Sequence, residues 1–157
     1  MTVRIDADRL SAEIEELARF SDSPYPSVTR VLFTDTDMQA RAWLTARMED
    51  AGLAVRTDAV GNLFGRWEGA EPAAPPVATG SHIDAIPDAG RFDGVIGVLG
   101  GLEAIRALQA AGVRPRRSIE LIMFTAEEPT RFGVGCLGSR LLSGTMTPAR
   151  AAQQRSR

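Results

Sequence analysis

The apolar segment SIELIMFT, residues 118–125, constrains the fold more than any other part of the chain. It follows Pro115, and a nearly continuous apolar run of this length is typical of a strand buried on both faces of a sheet. An earlier run, PVATGSHID (76–84), predicts another short strand that leads into a loop. Between them, DGVIGVLGGLEAIRALQAAG (93–112) repeats apolar residues at helical spacing. Strand, helix and strand in this order predict a parallel α/β unit with a right-handed crossover.

The segments before this unit predict further helices and strands. Helical patterns predict one helix from Asp8 to Phe20 and a second from about Asp37 to Ala51. The serine- and proline-rich residues 21–31 between them predict a loop. Two β-rich runs, LAVRTDAV (53–60) and NLFGRWEG (62–69), predict a hairpin or adjacent strands. We therefore predict an α/β fold in which part of a mixed, largely parallel sheet is flanked by helices.

Composition excludes several classes of function. The net charge is −2 over 157 residues, so we expect no nucleic-acid partner and no membrane-surface role. The longest largely apolar run is too short, and too often interrupted by charge, to span a bilayer. The chain has one cysteine, Cys136, and its first residues carry no signal pattern. Both features favour a reducing, cytoplasmic location.

Polar residues follow the two strands of the α/β unit, where ligands bind in parallel sheets. His82 is the only histidine of the chain. If the first strand persists, the carboxylate of Asp84 faces the same way and could fix the unused imidazole nitrogen. Asp93 precedes the helix and could be an ordinary N-cap or a carboxylate that bridges two cations. Glu127 and Glu128 could be a solvated pair, but they end the buried strand at the same edge as His82. Like charges placed there repel unless a cation lies between them.

Two further features are weaker signals. The segment GVGCLG, residues 133–138, matches the literal dinucleotide-binding pattern, but six residues separate it from its strand. We therefore expect no nucleotide site there. Cys136 has no histidine to activate it except His82, so the sequence favours a small buried thiol over a nucleophile.

The two polar segments also identify a family. GSHIDAIPDAGRFDGVIGVLGGLEAI and FTAEEPTRFGVGCLGSRLL resemble the hydantoinase/carbamoylase group of amidohydrolases, within the aminoacylase-like metallopeptidase clan. PSVTRVLFT and DAVGNLFGRWEG look most like the ureidoglycolate and allantoate amidohydrolases of that group. The resemblance runs from about Leu10 to Thr145. It implies that residues 1–145 are the N-terminal part of an aminopeptidase-like catalytic domain, incomplete at the C-terminus, and that residues 146–157 are an atypical tail.

The resemblance assigns roles to five residues. His82 would bind a first metal ion, Asp93 would bridge two ions, and Glu128 would bind the second. Glu127 would be the general base that takes the proton of the attacking water, and Asp84 would orient His82. The ions would be divalent, with Mn²⁺ favoured over Zn²⁺. The substrate would be a small ureide such as ureidoglycolate or allantoate, and the full-length form would be a homodimer.

Two alternatives remain open at this stage. The chain could belong to an N-carbamoyl-L-amino-acid amidohydrolase, or it could be a non-catalytic fragment. Members of the group are several hundred residues long and supply two further histidine ligands downstream, whereas this chain has His82 alone.

We therefore predict that the 157-residue chain by itself has no, or barely measurable, amidohydrolase activity. Ammonia release from ureidoglycolate or allantoate by the purified chain, with and without added Mn²⁺, measures this. A robust metal-dependent rate would contradict the prediction.

Overall fold

The computed structural model describes residues 2–154, which form five helices and six strands. The strands pair in two sheets, one of four strands and one of two. The strands are β1 (Val28–Arg30), β2 (Ala54–Thr57), β3 (Leu63–Trp67), β4 (Val77–Ser81), β5 (Ala85–Ala89) and β6 (Ile119–Met123). The helices are α1 (Ala7–Ala18), α2 (Asp35–Asp50), α3 (Val95–Ala110), α4 (Leu137–Leu142) and α5 (Pro148–Ala151).

Strand β6 lies inside the larger sheet, whose order is β2-β3-β6-β4. It pairs with β4 in parallel and with β3 in antiparallel orientation. Four of its five residues are buried, as the apolar run 118–125 predicts. The mixed sheet flanked by helices is confirmed, and so is the hairpin, which is formed by β2 and β3. Among the strands of residues 2–154, parallel pairing is confined to β4 and β6, because the hairpin joins β6 through an antiparallel strand. The fraction of strand pairs in this sheet that are parallel is therefore smaller than the sequence led us to expect.

Helices α1, α2 and α3 pack with the sheet around one hydrophobic core. Both α1 and α2 begin slightly earlier than predicted because a side chain caps each of them. Asp6 accepts a hydrogen bond from the backbone N–H of Arg9, and Thr34 accepts one from that of Asp37. The fully buried apolar residues of the core include Leu17, Leu44, Met48, Leu99, Leu102, Leu121 and Met123.

The two-stranded sheet was not predicted. Strand β1 lies within residues 21–31, which the sequence assigned to a loop, and it pairs with β5, which lies in the loop predicted after β4. The prediction was wrong there because β1 is only three residues long and its partner is distant in sequence. A period-2 pattern cannot show in so short a strand, and β5 contains Pro87, which argues against a strand.

The end of the chain is only partly described. Residues 148–151 form α5, and residues 155–157 lie outside the described part. The boundary predicted at residue 145 stays a prediction. Within residues 2–154, every helix is too short or too polar to cross a membrane.

A glycine in β4 permits the close approach of β4 and β6. A methyl group at Gly80 would overlap the carbonyl of Ile122, whereas one at Gly100 in α3 would meet no atom within 4 Å. We predict that Gly80→Ala lowers the free energy of unfolding by about 1–3 kcal/mol or more. Gly100→Ala, the matched control, should raise it by up to about 1 kcal/mol because alanine favours helix. Urea denaturation of both variants measures this, and equal midpoints would contradict the prediction.

Candidate metal centre

The backbone holds the ring of His82 with one nitrogen free. Strand β4 ends at Ser81, so His82 is the first residue after it, and its side chain is buried. Nδ1 lies 2.9 Å from the carbonyl oxygen of Asp84, which can only accept a hydrogen bond. Nδ1 therefore carries the proton in this arrangement, and Nε2 keeps its lone pair for a ligand.

The carboxylate of Asp84 has a different role from the one the sequence suggested. Its Oδ1 is 3.6 Å from His82 Nδ1, beyond hydrogen-bond length, because the strand does not persist to residue 84. The carboxylate instead accepts hydrogen bonds from the backbone N–H groups of Glu127, at 3.3 Å, and Glu128, at 3.0 Å. Burial raises the pKa of Asp84, and these two N–H groups and His82 oppose the rise. Asp84 thus links the segment after β4 to the segment after β6.

Asp93 is not the N-cap of α3. The helix begins at Val95, its N-cap is Gly94, and no side chain caps it. The carboxylate of Asp93 is exposed, and its Oδ1 lies 3.9 Å from Nε2 of His82. The capping interpretation is therefore wrong, and the carboxylate is available to a ligand beside the histidine.

Gly94 allows the start of α3 to lie against the histidine ring. Its φ is +66°, in the left-handed region, and a Cβ built on it would lie 2.5 Å from atoms of the His82 ring. Only glycine satisfies both conditions without displacing the ring.

Glu127 and Glu128 reach the same place from β6. The residue before them, Ala126, has a φ of +53°, a conformation that L-residues adopt at a cost of about 1–2 kcal/mol. Oε2 of Glu127 lies 3.5 Å from His82 Nε2. One ligand atom each from Glu128, His82 and Asp93 lie within 4.8 Å of one another. Burial, and then the charge of Glu127, raises the pKa of Glu128.

Sequence reasoning missed the role of Asn62, the only asparagine of the chain. Its buried side chain accepts a hydrogen bond from the backbone N–H of Thr125 and donates to the carboxylate of Asp58 and the carbonyl of Gly138. It therefore fixes the exit of β6 just before the two glutamates. The signal was the short DAVGN segment between two strands, in which an acid and an amide flank a turn glycine.

The glycine-rich segment 133–138 packs against the chain after β6. The backbone N–H groups of Cys136, Leu137 and Gly138 donate to the carbonyls of Glu127, Ala126 and Thr125, respectively. These N–H groups are thus already bonded and do not point at a phosphate. A Cβ at Gly138 would collide with Asn62 and Thr125, so the glycine serves close packing.

Cys136 is half-buried, more exposed than the sequence suggested. Its thiol donates a hydrogen bond of 3.2 Å to Oε1 of Glu127. This bond is the main reason why the pKa of Cys136 is raised, and burial adds to it. The thiol thus contacts Oε1 of Glu127, while Oε2 faces His82.

The five predicted residues are therefore brought together at the carboxyl ends of β4 and β6. A mixed α/β sheet that presents a histidine and carboxylates at the carboxyl ends of parallel strands, where ligands bind, is consistent with the class of α/β hydrolase domains with a candidate metal site. Residues 62–154 match the model of peptidase family M28, and the chain belongs to that family.

Two named hydrolases are similar to this chain over most of its length. The chain is 59% identical over 150 residues to a ureidoglycolate hydrolase of Oryza sativa subsp. japonica, covering 96% of the chain and 31% of that protein. It is 41% identical over 144 residues to an N-carbamoyl-L-amino acid amidohydrolase of Geobacillus stearothermophilus, covering 92% of the chain and 35% of that protein. The chain thus spans about a third of the length of these relatives.

The fold also matches a solved structure. The crystal structure of a hydantoinase/carbamoylase family amidase from Burkholderia ambifaria superposes with a TM-score of 0.94 at 40% identity, covering 98% of this chain and 38% of that one. The resemblance to the hydantoinase/carbamoylase group seen in the sequence is confirmed.

The contact between Gly94 and His82 gives a testable consequence for metal binding. We predict that Gly94→Ala displaces the His82 ring and weakens binding of Mn²⁺ to the chain by about tenfold or more. Gly52→Ala is a matched control, since Gly52 has a similar φ of +74° but no atom within 4 Å of an added Cβ. It should lose stability through the same backbone strain and keep its affinity for Mn²⁺. Paramagnetic resonance of free Mn²⁺ measures both affinities, and equal loss in the two variants would contradict the prediction.

Proposed function

We propose that this chain supplies the N-terminal part of the catalytic domain of a metal-dependent amidohydrolase that cleaves the ureido C–N bond of a small ureide such as ureidoglycolate or allantoate. The observation that carries the proposal is the convergence of His82, Asp93 and Glu128 around one point, with Glu127 beside them. The name of the rice relative supports the ureide as substrate class.

The donor set fits divalent metal ions. It offers one imidazole nitrogen and carboxylate oxygens, which suit Mn²⁺ or Zn²⁺. The thiol of Cys136 is not part of the set, because it donates a hydrogen bond to Glu127. Burial, and then the like charge of Glu127, raises the pKa of Glu128, and a cation beside the two carboxylates would offset that like charge. We propose two ions, favouring Mn²⁺, with His82 binding one, Glu128 the other, and Asp93 lying between them.

The ions, when bound, acidify an attacking water and polarise the carbonyl oxygen of the substrate. Glu127 would act beside them as the general base. Its Oε2 faces the histidine side of the group, and its Oε1 is held by the thiol of Cys136. The carboxylate is thus oriented to accept a proton from the water at Oε2 and to return it to the departing nitrogen.

Asp84 would act through the groups it holds. Its carbonyl keeps the proton of His82 on Nδ1, so that Nε2 stays a ligand. Its carboxylate holds the backbone of Glu127 and Glu128 at a fixed distance from the histidine. Outer partners of this kind keep metal ligands in their productive orientation.

Hydrolysis of N-carbamoyl-L-amino acids is the second candidate. The Geobacillus relative favours it, although its identity to this chain is lower than that of the rice relative. Both reactions hydrolyse an amide-type C–N bond, so the same group of side chains would serve either substrate.

A segment exchange tests the proposal. Residues of this chain would replace the matching 150 residues of the rice ureidoglycolate hydrolase and, as the matched comparison, the matching 144 residues of the Geobacillus enzyme. Ammonia release from ureidoglycolate by the first chimera, and hydrolysis of an N-carbamoyl amino acid by the second, are compared with the parents. We expect the rice chimera to keep the larger fraction of parental kcat. A folded, metal-loaded rice chimera without activity would contradict the proposal.

In the rice chimera, substitutions of the two adjacent glutamates should have different effects on kcat and on metal content. Glu127→Gln should lower kcat by about 10²- to 10⁴-fold and leave the metal content unchanged, because the base is lost and the ligands remain. Glu128→Gln should lower the metal content itself, because an amide oxygen is a weaker ligand than a carboxylate. Steady-state kinetics and elemental analysis measure the two effects. Loss of metal from Glu127→Gln alone would reverse the assigned roles.

A further inference from the structure

We infer that Arg30 is a positioning residue for the metal centre and that it acts through the backbone carbonyl of Ile83, the residue between His82 and Asp84. This inference rests on the proposed function. Arg30 lies on β1, outside the group of candidate ligands, and its side chain is fully buried. Its Nη1 donates a hydrogen bond of 2.7 Å to the carbonyl oxygen of Ile83.

The guanidinium group of Arg30 joins two elements. Besides Ile83, it donates from Nε to the carbonyl of Phe20 and from Nη2 to that of Leu17, at 2.9 and 2.7 Å. Leu17 lies in the last turn of α1, where backbone carbonyls carry partial negative charge and favour a cation. Arg30 thus ties the C-terminal end of α1 to the segment that carries His82.

The guanidinium group of Arg30 stays charged although it is buried. Burial lowers its pKa to about 10, and the charges of Asp37 and Asp84 oppose this. The group therefore remains protonated at neutral pH. A buried cation costs free energy unless it is well bonded, and here three carbonyls bond it. This cost makes a purely space-filling role a poor explanation for an arginine at this position.

The hydrogen bond from Arg30 to the carbonyl of Ile83 lies in a segment that has no strand pairing within residues 2–154. Pairing of β4 with β6 ends at Ser81, and pairing of β5 with β1 begins at Ala85, opposite Arg30 itself. Residues 82–84 lie between the two pairings. Arg30 anchors the middle of this segment, and so it sets where the carbonyl of Asp84 meets Nδ1 of His82.

The single histidine of the chain makes a direct test possible, because ring nitrogen resonances then report His82 alone. In the unmodified chain we expect the Nδ1–H tautomer. Arg30→Lys keeps the charge but loses the planar set of three bonds. We expect it to populate the other tautomer at the same pH and to weaken binding of Zn²⁺ about 10- to 100-fold.

The matched control is Arg106→Lys. Arg106 is also largely buried, and it pairs with Glu13 between α3 and α1, away from the ligands. This variant should lose stability in thermal unfolding but keep both the tautomer and the affinity for Zn²⁺. A folded Arg30→Lys chain with the tautomer and affinity of the unmodified chain would overturn the inference.

A second measurement needs no variant and applies if Arg30→Lys does not fold. In the unmodified chain, Zn²⁺ should shift the guanidinium resonances of Arg30 and leave those of Arg106 in place. Unshifted Arg30 resonances in a chain that binds Zn²⁺ would overturn the inference. A chain that binds no Zn²⁺ would count against the proposed function, whereas the role of Arg30 would still be decided by the His82 tautomer of the Arg30→Lys variant, which is read without metal.

Discussion

The hydrogen bonds that the Asp84 carboxylate accepts from the backbone of Glu127 and Glu128 join the ends of two strands. Parallel pairing brings β4 and β6 side by side up to Ser81 and Met123, but it cannot align the two segments that leave these strands. Asp84 bridges that gap with both oxygens of one carboxylate. The separation between His82 and the two glutamates therefore depends on a buried acid that is hydrogen-bonded to two backbone N–H groups.

The acids of the site differ in how their charge is compensated. Asp84 directs both oxygens at backbone N–H donors, which oppose the rise in its pKa that burial causes. Asp93 and Glu128 each place a carboxylate oxygen within 4.8 Å of a ring nitrogen of His82 and, within the described residues, have no such pair of backbone donors, and burial, followed by the charge of Glu127, raises the pKa of Glu128. This contrast separates the acid that builds the site from the acids that could hold a cation within it.

Much of this arrangement could be predicted from the sequence. The buried strand over residues 118–125 and the helix over residues 93–112 are local patterns, and their order places His82 and the glutamates at one edge of the sheet. The remaining details depend on where strands end and on distant contacts. The pairing of β1 with β5 joins short segments far apart in the chain. The place of Gly94 as N-cap, the use of the Asp84 carbonyl and the bonds of Asn62 all depend on how the backbone turns after a strand, which no periodicity encodes.

Cys136 has a practical consequence for handling the protein. It is the only thiol of the chain, and it bonds to the carboxylate of Glu127. Any maleimide dye, spin label or mercurial attached to it would place its bulk against that carboxylate. A thiol label would thus alter the site that it is meant to observe, and inhibition by a thiol reagent would report crowding of Glu127 and not a nucleophilic cysteine. Probes of motion in this protein belong on a cysteine introduced elsewhere, with Cys136 replaced by serine to keep a donor to Glu127.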